Sequence, residues 1–69
     1  MPRLYVRRDH TVRVFPAVLV DDDQWCAKAV LTITKDNRSV VATSPRCRSP
    51  EAAYKAAMTL VRHAAGLRM

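Results

Sequence analysis

The stretch Trp25-Cys26-Ala27-Lys28-Ala29-Val30-Leu31-Thr32-Ile33-Thr34 decides the fold. Its side chains alternate. Trp25, Ala27, Ala29, Leu31 and Ile33 make one apolar face, while Cys26, Lys28, Val30, Thr32 and Thr34 make a mixed, largely polar one. A period of two is the signature of a strand buried on one side only. The sequence therefore needs something to cover the Leu31 face, and the search for it runs outward in both directions.

On the C-terminal side, Asp36-Asn37 reads as a two-residue hairpin turn, because both residue types tolerate the left-handed region. The return strand spans about residues 39–44, with Val40 and Ala42 toward the core. After the connector Ser44-Pro45-Arg46-Cys47-Arg48, the run Ser49-Pro50-Glu51 has the chemistry of a helix start. Serine caps, proline fits the first turn, and glutamate complements the positive end of the dipole. The stripe Ala53, Ala56, Ala57, Leu60, Val61 and Ala64 predicts a helix over about 50–65, closed by Gly66 and Leu67 as a glycine cap with its apolar partner. This alanine-rich face is the cover the sheet requires.

On the N-terminal side, residues 3–8 alternate and predict a first strand, with Leu4 and Val6 on one side and Tyr5 and Arg7 on the other. Asp9-His10 is the expected turn. Residues 12–20 form a long second strand in which Val12, Val14, Val18 and Val20 are in phase. Pro16 has no N–H to give to a ladder, which implies an edge or a bulge there and a reversal of side-chain phase beyond it. The expected architecture is α+β: an antiparallel meander of three to four strands with one C-terminal helix across one face, as a single domain over residues 1–69.

Sixty-nine residues leave no room for a second core. A chain of this length buries about 60% of the surface its unfolded form exposes, so dimerisation is a natural supplement. The apolar share of 49% is that of a folding chain, and the net charge is +6. Arg3, Arg7, Arg8 and Arg13 make the first twenty residues basic, Asp21 to Asp23 make a short acidic loop, and basic residues dominate again from Arg38 onward. Such a balance suits phosphates or an acidic protein, or it simply keeps the surface soluble. Residues 1–8 lack the apolar core of a secretion signal, and no run is long enough to span a bilayer, so a cytoplasmic location and no membrane partner are expected.

Catalytic constellations are not found. His10 falls in a turn, His63 in the last helical turn, and Glu51 is engaged in the helix start; no paired carboxylates or nucleophile motif accompanies them. One glycine rules out a glycine-rich phosphate loop. The Asp21–Asp23 run lacks the alternating oxygens, glycine and closing glutamate of a calcium loop, and neither metal nor cofactor is expected. In the register set by a two-residue turn at Asp36-Asn37, Cys26 stands opposite Cys47, so a cross-strand disulfide is geometrically conceivable. Pro45 and a reducing compartment weigh against it, and free thiols are the expectation.

Two clusters are candidates for binding. The uncovered sheet face is expected to carry Tyr5, Arg7, Arg13, Phe15 and Lys28, rings to stack on bases and cations to meet phosphates. A dimer interface or partner surface is the alternative use of the same strip. Arg46, Arg48, Lys55 and Arg62 form a second basic cluster around the helix.

From Trp25 to Ala64 the chain loosely resembles the C-terminal half of a double-stranded-RNA-binding domain, through a hairpin followed by Ser49-Pro50-Glu51-Ala52-Ala53-Tyr54-Lys55-Ala56-Ala57. Pro50 and Glu51 stand where that family has lysines, and the resemblance implies a phosphate contact for Lys55 alone. The strand–strand–strand–helix order, with Trp25-Cys26-Ala27 and Ser49 to Ala53, also resembles the N-terminal layout of HicB-type antitoxins and other small bacterial or phage proteins. The readings that follow are a binding module for RNA or DNA, or a regulator that binds an acidic protein, and not an enzyme.

Overall fold

A computed structural model describes residues 3–66. Its elements, in chain order, are β1 (Arg3–Val6), β2 (His10–Val14), β3 (Val18–Asp21), β4 (Gln24–Cys26), β5 (Lys28–Ile33), β6 (Arg38–Thr43) and α1 (Pro50–Ala64). Strands β1-β2-β5-β6 form an antiparallel sheet, β3 and β4 form a two-stranded ribbon, and α1 packs mainly over β6 and β5. The protein is α+β, as its periodicities predict.

The core is small. Val12, Val14, Ala27, Ala29 and Leu31 from the strands meet Ala53, Ala57 and Val61 from the helix, all fully or almost fully buried. Ala27 and Ala29 opposite Ala53 and Ala57 keep both surfaces flat, so backbone approaches backbone and larger neighbours fill the margins. Those margins are Tyr5, Trp25, Ile33, Val40, Tyr54 and Met58. The buried stripe of α1 is narrower than the sequence suggests: Ala53, Ala57 and Val61 lie four residues apart along one ridge, which leaves Leu60 and Ala64 exposed.

Both long strands break at Ala27, and the prolines explain why. Phe15 donates to the Lys28 carbonyl, whereas Val18 pairs with Cys26, so Pro16 and Ala17 stand against Ala27 alone. On the other flank Ser44 donates to the Ala27 carbonyl and Cys47 bridges Trp25, so Pro45 and Arg46 stand against Cys26 alone. Each proline removes a ladder donor, and each insertion is a bulge. The freed groups find side chains instead. The Ala27 N–H donates to the buried Ser44 hydroxyl at 2.9 Å, and the Ala17 N–H donates to the Tyr54 hydroxyl at 3.1 Å.

Two hairpin registers differ from expectation by two residues. β5 and β6 join through a four-residue turn, Thr34 to Asn37, with Asn37 at φ 52°. Ile33 then pairs with Arg38 and Lys28 with Thr43. β1 stops at Val6, with Arg8 and Asp9 in the bend, and Arg7 donating to the His10 carbonyl. A shift of two residues leaves each side chain of the β5–β6 hairpin on its expected face, so Val40 and Ala42 stay toward the core.

The register that would set Cys26 opposite Cys47 is not the one observed. Cys47 lies opposite Trp25, with which it exchanges both backbone hydrogen bonds, and Cys26 lies opposite Val18; both thiols are free. The Pro45–Arg46 bulge moves Cys47 by one position, and a shift of one residue is enough to put the sulfurs on opposite faces.

The helix start behaves as its sequence implies. Ser49 accepts from the Ala52 N–H through its hydroxyl at 3.1 Å, and Pro50 occupies the first turn. At the other end Gly66 has φ +79°, the left-handed value that terminates helices, and donates to the His63 carbonyl. Leu67, its expected partner, lies outside the described residues. Arg3 reaches from β1 to the first helical turn, pairing with Glu51 at 2.6 Å and lying 4.2 Å above the Tyr54 ring. No helix among the described residues is long and apolar enough to cross a membrane.

Candidate binding face

The face of the four-stranded sheet turned away from α1 is uncovered, and the pairing fixes its composition. Leu4, Arg13, Val30 and Val41 run across the four strands in one row, and Val6, Thr11, Thr32 and Ser39 in the next. Phe15, Lys28 and Thr43 complete a third. Residues directly opposite in antiparallel strands share a face, so membership follows from the register alone.

A shallow groove of about 150 Å³ lies on this face, lined by Thr11, Arg13, Phe15, Val30 and Thr32. The Lys28 ammonium sits 6.0 Å from the centroid of the Phe15 ring, at the outer limit of a cation–π contact. Arg13 and Lys28 are exposed, and the half-buried Phe15 is the ring between them. On the polar side of the groove the hydroxyls of Thr32 and Ser39 are hydrogen-bonded across β5 and β6 at 3.2 Å. An anionic ligand with a flat apolar part would find two cations, a ring and hydroxyl groups within this patch.

Of the sequence-predicted members, Arg13, Phe15 and Lys28 come together here. Tyr5 does not. It stands opposite Val12, shares that residue's face, and packs against the core beneath α1. A turn of even length places odd-numbered residues of β1 opposite even-numbered residues of β2, so Tyr5 belongs with the buried valines. Arg7 lies past the end of β1, is exposed, and is not among the residues that line the groove. Leu4, Val6 and Val41 take the outer positions instead, 57%, 70% and 55% exposed. Val41 follows from the alternation of β6, whereas Leu4 and Val6 stand opposite to the expected phase of β1.

The second basic cluster is differently disposed. Arg46 is drawn to Asp21, 3.7 Å away on the β3–β4 ribbon, while Arg48 precedes the helix and Lys55 lies exposed on it. Ser49 and Glu51 already occupy the helix start, one capping the Ala52 N–H and the other paired with Arg3. The Arg3 guanidinium holds the Glu51 carboxyl below the usual range, and the hydrogen bond from His10 does the same for Asp9. Among the described residues no three His, Cys, Asp or Glu side chains are gathered where they could hold a metal ion.

No protein-family model, curated protein or solved structure matches this chain.

Proposed function

We propose that this chain is a small non-enzymatic binding module that takes single-stranded RNA or DNA on the uncovered face of its sheet. The observation that carries the reading is the groove beside Phe15, flanked by Arg13 and Lys28. Its volume is that of a single planar ring system rather than of a helix, and a duplex offers no unstacked base to enter it. Stacking on Phe15 supplies a sequence-tolerant contact, and the two cations meet the flanking phosphates. The net charge of +6 adds long-range attraction for a polyanion.

A second reading has its own observation. Leu4, Val6 and Val41 are exposed aliphatics on the same face, and an acidic protein with an apolar patch would cover them while pairing with Arg13 and Lys28.

The test is fluorescence anisotropy with labelled single- and double-stranded RNA and DNA over a salt series. Micromolar or tighter binding to single strands, falling steeply with salt and lost in Arg13→Glu/Lys28→Glu, supports the nucleic-acid reading. Loss confined to Arg46→Glu/Arg48→Glu moves the site to the helix start. Absence of binding at low salt overturns the reading in favour of a protein partner.

A further inference from the structure

The open face offers a bound strand two directions, and its residues differ between them. Across the sheet, the rows through Arg13 and Thr11 run out onto Leu4 and Val6 of β1 and Val41 of β6. These are exposed aliphatics, which give a phosphate nothing. Along the strands the composition is different. The groove keeps to β2 and β5, lined by Thr11, Arg13 and Phe15 from one and Val30 and Thr32 from the other. Lys28 stands beside Phe15 at its start, Arg13 at its middle, and Thr11 and Thr32 at its far end. From Lys28 to Thr32 the path is about 14 Å, at a strand rise of about 3.4 Å per residue.

Just past Thr11 and Thr32 both hairpins turn. The β1–β2 bend carries Arg7 and Arg8, the β5–β6 turn carries Lys35, and Arg38 opens β6 at the same end. All of these cations are exposed. The two turns are joined by Thr34, which donates to the Asp9 carbonyl through its N–H at 3.1 Å and its hydroxyl at 3.0 Å. They form one rim across the end of the groove. Asp9 and Asp36 lie among the cations, and Asp9 is held against the His10 ring at 2.7 Å. Among the described residues the ion pairs are Arg3–Glu51, His10–Asp9 and Arg46–Asp21, so none of them takes up Arg7, Arg8 or Lys35.

We propose that a single strand lies lengthwise along the β2–β5 groove and that Arg7, Arg8 and Lys35 meet its phosphates beyond Thr11 and Thr32. This placement rests on the nucleic-acid reading of the open face and specifies the ligand: a strand of at least about four nucleotides, where the site sizes of single-strand surfaces begin. Lengthwise, cations stand at both ends of the path and hydroxyls lie between them. Crosswise, the same strand would leave its phosphates over Leu4 and Val41. The Thr34 hydrogen bonds hold the two turns together before the ligand arrives, so little ordering is left for binding to offset.

The experiment is an NMR titration of the isotope-labelled full chain with a trinucleotide and with an octanucleotide, followed by anisotropy of the octanucleotide over a salt series. Amides of Phe15 and Lys28 should move with both oligonucleotides, and those of Arg7, Arg8 and Lys35 with the octanucleotide alone. Each phosphate contact contributes about 0.7 to the salt slope of a single strand, so Arg7→Ser/Arg8→Ser/Lys35→Ser should reduce the slope by about 2. Arg46→Ser/Arg48→Ser/Lys55→Ser removes the same charge elsewhere and should leave the slope unchanged. The wild-type shifts stand even where a variant folds poorly. Octanucleotide shifts at Leu4, Val6 and Val41 in place of the turns, or an equal change of slope in the two triple variants, would overturn the lengthwise path while the open-face site stands. Absence of movement at Phe15 with either oligonucleotide would overturn both.

Discussion

Phe15 and Lys28 face each other across the β2–β5 pair: the Phe15 N–H donates to the Lys28 carbonyl at 2.9 Å, and the Lys28 ammonium lies 6.0 Å from the Phe15 ring centroid. The pair sits where the sheet begins to break. One residue further on, Pro16 ends the regular ladder and the chain turns out into the β3–β4 ribbon. Phe15 is thereby held by a strand on its N-terminal side and by a bulge on the other.

This placement makes Phe15 a test of stacking separate from charge. Phe15→Ala is expected to weaken binding of a single-stranded oligonucleotide by about 1–3 kcal/mol, roughly 5- to 150-fold, at constant salt slope. Arg13→Ala should reduce the salt slope itself by about one ion. Anisotropy titrations of both variants over the same salt series check the two outcomes together.

Tyr54 ties the bulge to the helix. Its hydroxyl accepts from the Ala17 N–H at 3.1 Å while its ring carries the Arg3 guanidinium at 4.2 Å. Tyr54→Phe keeps the ring and leaves the part-buried Ala17 N–H without its acceptor, at an expected cost of about 1–3 kcal/mol. Urea unfolding measures the loss. Hydrogen exchange should show it concentrated at Ala17 and along β3, since the remaining ladder is untouched.

The narrow core makes its largest member decisive. Leu31 is fully buried between the sheet and α1, and Leu31→Ala should cost about 2–5 kcal/mol, a large part of the stability of so small a domain. Leu60→Ala, on the exposed side of the same helix, should change stability by no more than about 0.5 kcal/mol. Thermal melts of the two variants distinguish the observed ridge from the wider stripe that the helix sequence suggests.

Acid should loosen the join between β1 and α1. Glu51 is depressed below its ordinary value of 4.5 by the hydrogen bond from Arg3, and Asp9 below 3.8 by the one from His10. A carboxyl whose folded value is depressed stabilises the fold above its unfolded value, and that contribution disappears as pH falls through the folded one. Stability is therefore expected to hold level from neutral pH down to about 5 and to decline below about 4.5 as Glu51 and then Asp9 take up protons. Glu51→Gln should flatten the upper part of that decline in denaturant titrations. Both groups are solvent-exposed, so the effect is modest and shrinks with salt.

The fold was legible where one face of an element is buried and the other is not. The Trp25–Thr34 alternation and the Ser49-Pro50-Glu51 start required a covered sheet with a capped helix, and neither depends on turn geometry. Turn lengths were less legible. Thr34 and Lys35 carry no chemistry that excludes them from a turn or commits them to one, and Asn37 takes its left-handed φ in either arrangement. Even-numbered slips cost nothing in the core, which is why Val12, Leu31 and Ala42 kept their faces, whereas the Pro45–Arg46 bulge shifts Cys47 by one further position, to stand opposite Trp25. The bulges had a visible cause in Pro16 and Pro45, but the side-chain acceptors that stabilise them, Tyr54 and Ser44, are contacts between distant segments. The open face was half legible. Arg13, Phe15 and Lys28 follow from the phase of the buried valines, whereas the apolar side of β1, Leu4 and Val6, points outward, and its pairing with β2 is what sends Tyr5 inward.

The measurement that bears most directly on the open face is an NMR titration of the isotope-labelled chain with a short single-stranded oligonucleotide at low salt. Signals of Thr11, Arg13, Phe15, Lys28, Val30 and Thr32 should move together with one affinity, while those of Arg48, Lys55 and the β3 edge stay in place. Shifts confined to the helix start, or no shifts at an oligonucleotide concentration of about 1 mM, well above the weak end of non-specific binding, would contradict a nucleic-acid site on this sheet.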